Sequence, residues 1–421
     1  MEMMDRAFEL ARTLNAEDLL AKVVKRALQV VTRELDSKEA ASRPGVHIPL
    51  LRLLAELPPR QRPAELVTLV DRADQLHMNA HPFIREEIFR LKEALAKANP
   101  EEVRRLRRAK VQMRYDWALQ QQGLLRADWL NKALEVANNT PEAADLKDAI
   151  RREIQGITRE SLDLKRASAE FKIPWEQAEE SVREVVGRDT LGAALARFGN
   201  WGPPTGDPQR TRRHVEDRRS RFAYRSIVST VVTHKAGYPV KYLESDDDRR
   251  RAAQAEHEVL AASVYAVLGA EVLKRIATQY SPTQEQLRQL LASDFIRGDQ
   301  ADAFARAFDH FWAGRFDEAI HIALPRIEAV LRQILIRAGG VAYREPRGVE
   351  SGGVRPLGMV LRDLEPLMDP AWWRFLWVVL AEPLGLNLRN EYLHGLAEQG
   401  TQSHATLVLQ VAAHLRLLSL A

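Results

Sequence analysis

The stretch "RFDEAIHIALPRIEAVLRQILIRAGG", residues 315–340, has a strong helical pattern. Apolar residues recur at every third or fourth position, so they share one face of a helix: Phe316, Ile320, Ala323, Ile327, Val330, Leu331, Ile334 and Leu335. Gly339 and Gly340 mark its end. Pro325 predicts either a kink in this helix or a helix that begins later.

The same period recurs through most of the chain, while strict alternation of apolar and polar residues is scarce. Examples are "AEDLLAKVVKRALQVV", residues 16–31, and "REEIFRLKEALAKA", residues 85–98. In "DPAWWRFLWVVLAEP", Asp369 is the predicted N-cap and Pro370 the first helical residue. The sequence therefore predicts an all-α fold.

A chain of 421 residues is expected to form two or three domains. Glycine and proline accumulate in "RFGNWGPPTGDPQRTRR", residues 197–213, where no helix can continue. A weaker break lies at residues 279–286. The predicted organisation is a helical N-terminal region (1–197), a Gly/Pro-rich linker (198–213), a helical middle region (214–295) and a C-terminal bundle of four to five helices (296–421).

The composition restricts the chemistry available to the protein. Lysine plus arginine number 62 against 58 aspartate plus glutamate, so a nucleic-acid footprint must come from local clusters of charge. The absence of cysteine excludes disulfides, thiolate nucleophiles and cysteine-ligated zinc. No apolar run approaches the roughly 18 residues that span a bilayer. We expect a cytoplasmic protein that binds no membrane and needs no cofactor.

The stretch "GLNLRNEYLHGL", residues 385–396, carries the main candidate for chemistry. If Asn387 caps a helix, Arg389 and Asn390 lie in the first turn, where backbone N–H groups and the helix dipole favour an anion. Asn390 and His394 are four residues apart and share a face, and the long side chain of Arg389 can reach them. Metal-free transesterification of RNA needs such a base with cationic donors. The alternative is a surface helix whose His394 packs against a neighbour.

This stretch resembles the signature of the HEPN superfamily of helical bundles, an arginine followed after four to six residues by a histidine. The order "ESGGVRPLGMVL", residues 350–361, and then "NLRNEYLHG" is similar to one branch of large helical proteins. The resemblance covers the C-terminal bundle. It implies a metal-independent endoribonuclease that acts as a homodimer through this bundle and leaves 2′,3′-cyclic phosphate ends.

The resemblance also implies roles for individual residues. Arg389 would bind and stabilise the scissile phosphate, Asn390 would orient it or donate to it, and His394 would act as general acid or base. Gly395 would keep the helix surface clear. The superfamily is often used in defence or as toxins, and the N-terminal region would then supply substrate contact or regulation. Two alternatives stay open: a non-catalytic module that binds RNA or nucleotides, and a helical scaffold.

The densest basic run is "QRTRRHVEDRRSRFAYRS", residues 209–226. Guanidinium groups beside Phe222 and Tyr224 suit contact with an RNA backbone and stacking on bases. The candidate RNA-binding residues are Arg210, Arg212, Arg213, Arg218, Arg219, Arg221 and Arg225. A solvated helix with Glu216 and Asp217 as local partners explains the run equally well. A second basic run, residues 101–114, is predicted to be the outer face of a helix.

Three further candidates are expected to be structural. His77 and His81 have the spacing of a helical zinc site, but no third ligand is evident, so no metal is predicted. Glu328 and Arg332 would form an ion pair within one helix, or else a second polar layer near the site. His321 is expected to pack at the edge of the apolar face.

Overall fold

The computed structural model describes residues 2–14, 16–158, 160–162, 175–221, 230–234, 238–243, 245–346, 348 and 351–419. Helices dominate these residues, which confirms the all-α prediction. The chain forms two compact units, Met1–Arg166 with Lys235–Tyr238 and Ala167–His234 with Pro239–Ala421. None of the described helices has the length and apolar content needed to cross a membrane.

The first unit contains eight of the described α-helices: α1 (Glu2–Thr13), α2 (Glu17–Leu35), α3 (Pro44–Ala55), α4 (Leu66–Leu76), α5 (Pro82–Leu95), α6 (Pro100–Leu119), α7 (Gly123–Asn138) and α8 (Ala144–Gln155). Helices α1 to α5 bury one apolar cluster that includes Leu51, Leu54 and Ile88. Helices α6 to α8 enclose another around Trp129 and Leu130.

The second unit begins with α9 (Trp175–Val186), α10 (Leu191–Gly199) and α11 (Pro208–Arg221). Strands β1 (Thr230–Thr233) and β2 (Pro239–Leu243) form an antiparallel hairpin with a register irregularity between Val232 and Thr233. The remaining elements are α12 (Asp246–Tyr280), α13 (Gln284–Leu291), α14 (Gly298–Trp312), α15 (Phe316–Arg337), a short hairpin of β3 (Tyr343–Arg344) and β4 (Gly353–Val354), α16 (Leu357–Leu364), α17 (Pro370–Leu380), α18 (Leu388–Leu393) and α19 (Gln402–Leu415).

The two units divide the chain differently from the predicted domains. The segment predicted as a linker, residues 198–213, lies inside the second unit and holds the end of α10 and the start of α11. Gly199 approaches α19 so closely that an added Cβ would lie 2.6 Å from the carbonyl oxygen of Ala413. Glycine therefore serves close helix packing at this position, in addition to ending α10.

Helix α19 is the centre of the second unit. Every residue from Ala405 to Leu415 is buried, and the helix contacts α10, α12, α14 and α15. A helix that is covered on all sides needs apolar residues around its whole circumference, and α19 meets this condition with few exceptions. Large buried side chains, among them Phe198, Phe304 and Phe308, fill the same core.

The ends of two helices in this unit test the predictions from local sequence. Asp369 caps α17 by accepting from the backbone N–H groups of Ala371 and Trp372, and Pro370 is the first helical residue, as predicted. Helix α15 runs without interruption from Phe316 through Pro325, so the predicted later start is wrong. The missing N–H of proline removes one backbone bond, but the apolar face on both sides of it is buried.

A buried histidine makes the stability of this unit dependent on pH. His414 stacks on Trp372 with ring centroids 3.6 Å apart, and its Nδ1–H donates to the carbonyl oxygen of Gly199 at 3.2 Å. Burial lowers the pKa of His414 from 6.5 to about 4. As the pH falls from 6.5 towards 4, His414 is protonated in the unfolded chain but stays neutral in the folded chain. The free energy of unfolding therefore decreases over this range.

We predict that His414→Phe weakens this dependence, because phenylalanine keeps a stacked ring but cannot be protonated. Urea unfolding at pH 7, 5.5 and 4 measures the effect. Between pH 7 and pH 4 the wild type should lose up to about 3 kcal/mol more than the variant. An equal loss in the two proteins would contradict the assignment.

Candidate functional site

The motif stretch forms the short helix α18, whose first turn is shaped by Asn387. Asn387 has φ 48° and ψ 35°, a left-handed conformation that asparagine adopts more readily than most residues. It occupies the predicted N-cap position, but its side chain makes no capping bond to the backbone. Instead its Oδ1 accepts from Nδ2 of Asn390 at 2.9 Å. The predicted cap is thus correct in position and wrong in its hydrogen bond.

The end of α18 explains Gly395. Its N–H donates to the carbonyl oxygen of Tyr392 at 3.2 Å, and the N–H of Leu396 donates to that of Glu391 at 2.8 Å. These two bonds form a Schellman motif, which needs a left-handed residue, and Gly395 has φ 68°. A Cβ at Gly395 would meet no atom within 4 Å. The backbone conformation thus favours glycine here, and the surface beside His394 is open.

The three predicted catalytic residues lie together. Nη1 of Arg389 donates to Oδ1 of Asn390 at 2.9 Å and to Nε2 of His394 at 3.0 Å. A guanidinium has no acceptor, so Nε2 of His394 must offer a lone pair and the proton of the neutral ring belongs on Nδ1. His394 is exposed, whereas Arg389 is half-buried. The alternative, in which His394 packs against a neighbour, does not account for an exposed ring that is hydrogen-bonded to Arg389.

A buried carboxylate positions Arg389. Oε2 of Glu328, on α15, accepts from Nε of Arg389 at 3.0 Å, and its Oε1 accepts from Nη2 of Arg332. Glu328 is 6% exposed, so its charge needs such partners. The predicted ion pair with Arg332 is present, and the same carboxylate also forms the second polar layer behind the motif.

The hydrogen bonds of Arg389 leave one nitrogen of its guanidinium, Nη2, available. Nε is used by Glu328 and Nη1 by Asn390 and His394, while Nη2 makes no hydrogen bond to the described residues. Two arginines, Arg332 and Arg389, surround one buried carboxylate, so the cluster carries excess positive charge. A guanidinium N–H beside an exposed imidazole can donate to an anion such as a phosphate.

The opposite side of α18 holds a second set of polar residues. Nε2 of His234 and Oε1 of Glu391 are 2.7 Å apart, and the hydroxyl of Tyr392 lies 2.8 Å from Nδ1 of His404. His321 meets the ring of Tyr392 edge-on but stays exposed, so the prediction of a packed histidine is only partly correct. Burial raises the pKa of Tyr392.

Sequence reasoning missed His234, Glu391 and His404. His234 and Glu391 are separated by 157 positions, so no local spacing connects them.

Helix α11 carries most of the predicted RNA-binding arginines. Arg219 bonds to the carbonyl oxygen and Oδ1 of Asp246, each at 3.1 Å. Five others are exposed and form no salt bridge with any described residue: Arg210, Arg212, Arg213, Arg218 and Arg221. Arg225, Phe222 and Tyr224 lie outside the described residues. Glu216 approaches Arg250 at 4.0 Å rather than an arginine of its own helix, so these five cations keep their charge available.

The two histidines with metal-ligand spacing have separate structural partners. Nε2 of His77 lies 2.8 Å from Nε2 of the buried His47, and the side chain of His81 accepts from the backbone N–H of Phe83 at the start of α5. Among the described residues, no three histidine, aspartate or glutamate side chains cluster in a way that could hold a metal ion.

No family model matches the chain, and neither curated proteins nor solved structures give a significant match. The HEPN resemblance therefore rests on the motif residues and their order, and it stays a prediction.

We predict that Glu328→Gln destabilises the second unit by about 2–3 kcal/mol, because two arginines lose their shared buried counter-charge. The matched control is Glu318→Gln, since Glu318 lies on the same helix but is exposed. Chemical denaturation measures both variants, and the control should change by less than about 0.5 kcal/mol. Equal effects would mean that the carboxylate of Glu328 has no special structural role.

Proposed function

We propose that this protein is a metal-independent endoribonuclease whose active site contains Arg389, Asn390 and His394. One observation carries the proposal. A single guanidinium holds an amide and an exposed imidazole within hydrogen-bond distance, beside an open surface at Gly395. A positive donor and a group that can transfer a proton are the requirements of cleavage by the RNA 2′-hydroxyl.

The proposed reaction is an internal transesterification. A base removes the proton of the 2′-hydroxyl, the O2′–P bond forms, and the P–O5′ bond breaks to leave a 2′,3′-cyclic phosphate and a 5′-hydroxyl. Arg389 and Asn390 would donate hydrogen bonds to the phosphate oxygens as charge develops. His394 would be the base, or the acid that protonates the leaving O5′.

The resting hydrogen bonds suggest how the substrate activates the site. The Nε2 lone pair of His394 is occupied by Nη1 of Arg389. A phosphate that accepts from Nη2 and also from the Nη1 proton now directed at His394 would remove this donor and leave Nε2 available as a base. Binding of the substrate would then, in the same step, free His394 to act as a base.

A single site supplies one imidazole, while the reaction needs both a base and an acid. We therefore propose a homodimer through the C-terminal bundle, in which a second copy supplies the second set of residues. An RNA-directed effector of this type would act in the cytoplasm, in defence or as a toxin, under control of a regulatory partner or the N-terminal unit.

A non-catalytic RNA-binding module is the second candidate. The observation in its favour is the row of exposed arginines on α11 that lack salt bridges within the described chain. In this case Arg389 and His394 would bind phosphate without turnover. The two candidates differ in whether loss of His394 abolishes a product or only changes affinity.

We predict that the purified protein cleaves mixed-sequence RNA in EDTA and that His394→Ala lowers the rate at least about 100-fold, because a proton-transfer group is lost. Denaturing gels and analysis of both product ends give the measurement. A matched control is His310→Ala, which removes a histidine outside the motif. Cyclic phosphate ends with the wild type and the control, but not with His394→Ala, are the expected result.

Other outcomes of this experiment separate the alternatives. RNA binding without cleavage by any variant would favour the binding module, and neither binding nor cleavage would favour a scaffold. Light scattering at micromolar concentration tests the dimer. Cleavage by a protein with a monomeric mass would contradict the composite site.

We predict that replacing Arg210, Arg212 and Arg213 by glutamine weakens RNA binding and reduces its salt dependence. Each lost phosphate contact should lower the slope of log K against log salt by about 0.7 for single-stranded RNA. The charge-matched control replaces Lys97, Arg104 and Arg107, which are exposed residues of the first unit. Titrations of labelled RNA at several salt concentrations give the slopes. An equal decrease in both triple variants would leave α11 without a specific role.

A further inference from the structure

The second unit contains a cavity of about 500 Å³ beside the loop that precedes the motif helix. Helices α11 and α12, the β1–β2 hairpin and the loop before α18 line it, and it opens to solvent. Its walls are largely apolar and include Val215, Val232, Leu243, Ala252, Val259 and Leu384. A cavity of this size and apolarity lies in the range of small-molecule sites in proteins.

Two stacked imidazoles form part of the lining. The rings of His214 on α11 and His257 on α12 have centroids 4.9 Å apart and an interplanar angle of 25°. Burial is the largest of the effects that lower the pKa of His257, and this favours the uncharged ring. A flat, uncharged ring is a surface on which another planar ring can stack.

The charged residues of the lining favour an anion. Arg219 and Arg249 both bond to Asp246, which offsets part of their charge. Arg218 is exposed and has no hydrogen bond or salt bridge within the described chain. Glu256 is the single acidic residue among the described lining residues, and it is exposed to solvent. Arg218 is thus a cation available at the rim of an apolar cavity.

We infer that this cavity binds a nucleotide, with the base inside against the apolar walls and imidazoles and the phosphate on Arg218. A nucleotide combines a planar ring with an anionic group, which matches the walls and the rim. The choice of a nucleotide over other aromatic anions rests on the proposed function. The nucleotide is either free or one unit of an RNA strand.

Two segments that line the cavity adjoin the motif helix α18, one before it in the chain and one that contacts it. Leu384 and Gly385 line it and immediately precede the motif. An added Cβ on Gly385 would lie 2.4 Å from the carbonyl oxygen of Val378, so the loop is held tightly against α17. On the other side, Val232 belongs to the strand that leads to His234, which contacts Glu391 of α18. An occupant therefore contacts two segments that position the motif.

Isothermal titration calorimetry with AMP and UMP tests the inference on the full chain. Both halves of the ligand are titrated separately, as adenosine and as ribose 5-phosphate. We expect saturable binding of the nucleotides and much weaker binding of either half. Arg218→Gln should weaken nucleotide binding about tenfold, because a charge-assisted hydrogen bond is lost. Arg251→Gln is the matched control, as an exposed arginine of α12 that neither lines the cavity nor belongs to the candidate RNA-binding residues.

A second variant fills the cavity. Ala252→Phe places a ring in the space assigned to the base and should abolish binding, and circular dichroism checks that the variant folds. Absence of nucleotide binding by the wild type would overturn the inference. Equal binding by Arg218→Gln and Arg251→Gln would also overturn it.

Competition separates the two sources of the nucleotide. AMP that displaces labelled RNA from the His394→Ala protein indicates a subsite for the RNA strand, whereas AMP that binds without displacing RNA indicates a site for free nucleotide. These measurements need no cleavage. Nucleotide binding without RNase activity would therefore refute the proposed function alone, and RNase activity without nucleotide binding would refute this inference alone.

Discussion

The burial of α19 from Ala405 to Leu415 is the constraint on which the second unit depends. A helix covered on every side can keep polar side chains only if each finds a partner inside the protein. The partners come partly from α10, because Gln410 donates to the carbonyl oxygen of Phe198 and His414 to that of Gly199. The absence of a Cβ at Gly199 permits this approach. Burial of α19 thus determines where α10 lies, although the two helices are far apart in sequence.

Helix α15 transmits this constraint to the candidate site. It packs against α19 and also contacts α18. Glu328 belongs to this helix and is buried, so its charge is tolerated only because Arg332 and Arg389 surround it. The position of Arg389 is therefore set by a carboxylate in the core. An arginine held in this way is ordered before any anion binds, which reduces the entropic cost of binding.

Local pattern was sufficient to predict some of this structure and insufficient for the rest. The apolar face of α15 and the cap at Asp369 depend on residues a few positions apart, and both were predictable. The bond between Arg389 and Glu328 joins residues 61 positions apart, so the sequence gives no spacing that reveals it. Glycine and proline near residue 200 signalled the end of a helix correctly. They could not reveal that Gly199 packs against α19, because that depends on tertiary contact.

The motif shows the same division between local and tertiary information. The spacing of Arg389, Asn390 and His394 predicted that they meet, but the direction of their hydrogen bonds was not predictable. In the resting structure Arg389 donates to the lone pair that a catalytic His394 would need. A hydrogen bond between two charged groups is stronger than one between a charged and a neutral group, so under the proposed function a phosphate would replace the imidazole as the partner of this guanidinium N–H. Under the proposed function, the imidazole becomes a base only where a phosphate is already bound, which restricts the reactive state to the substrate complex.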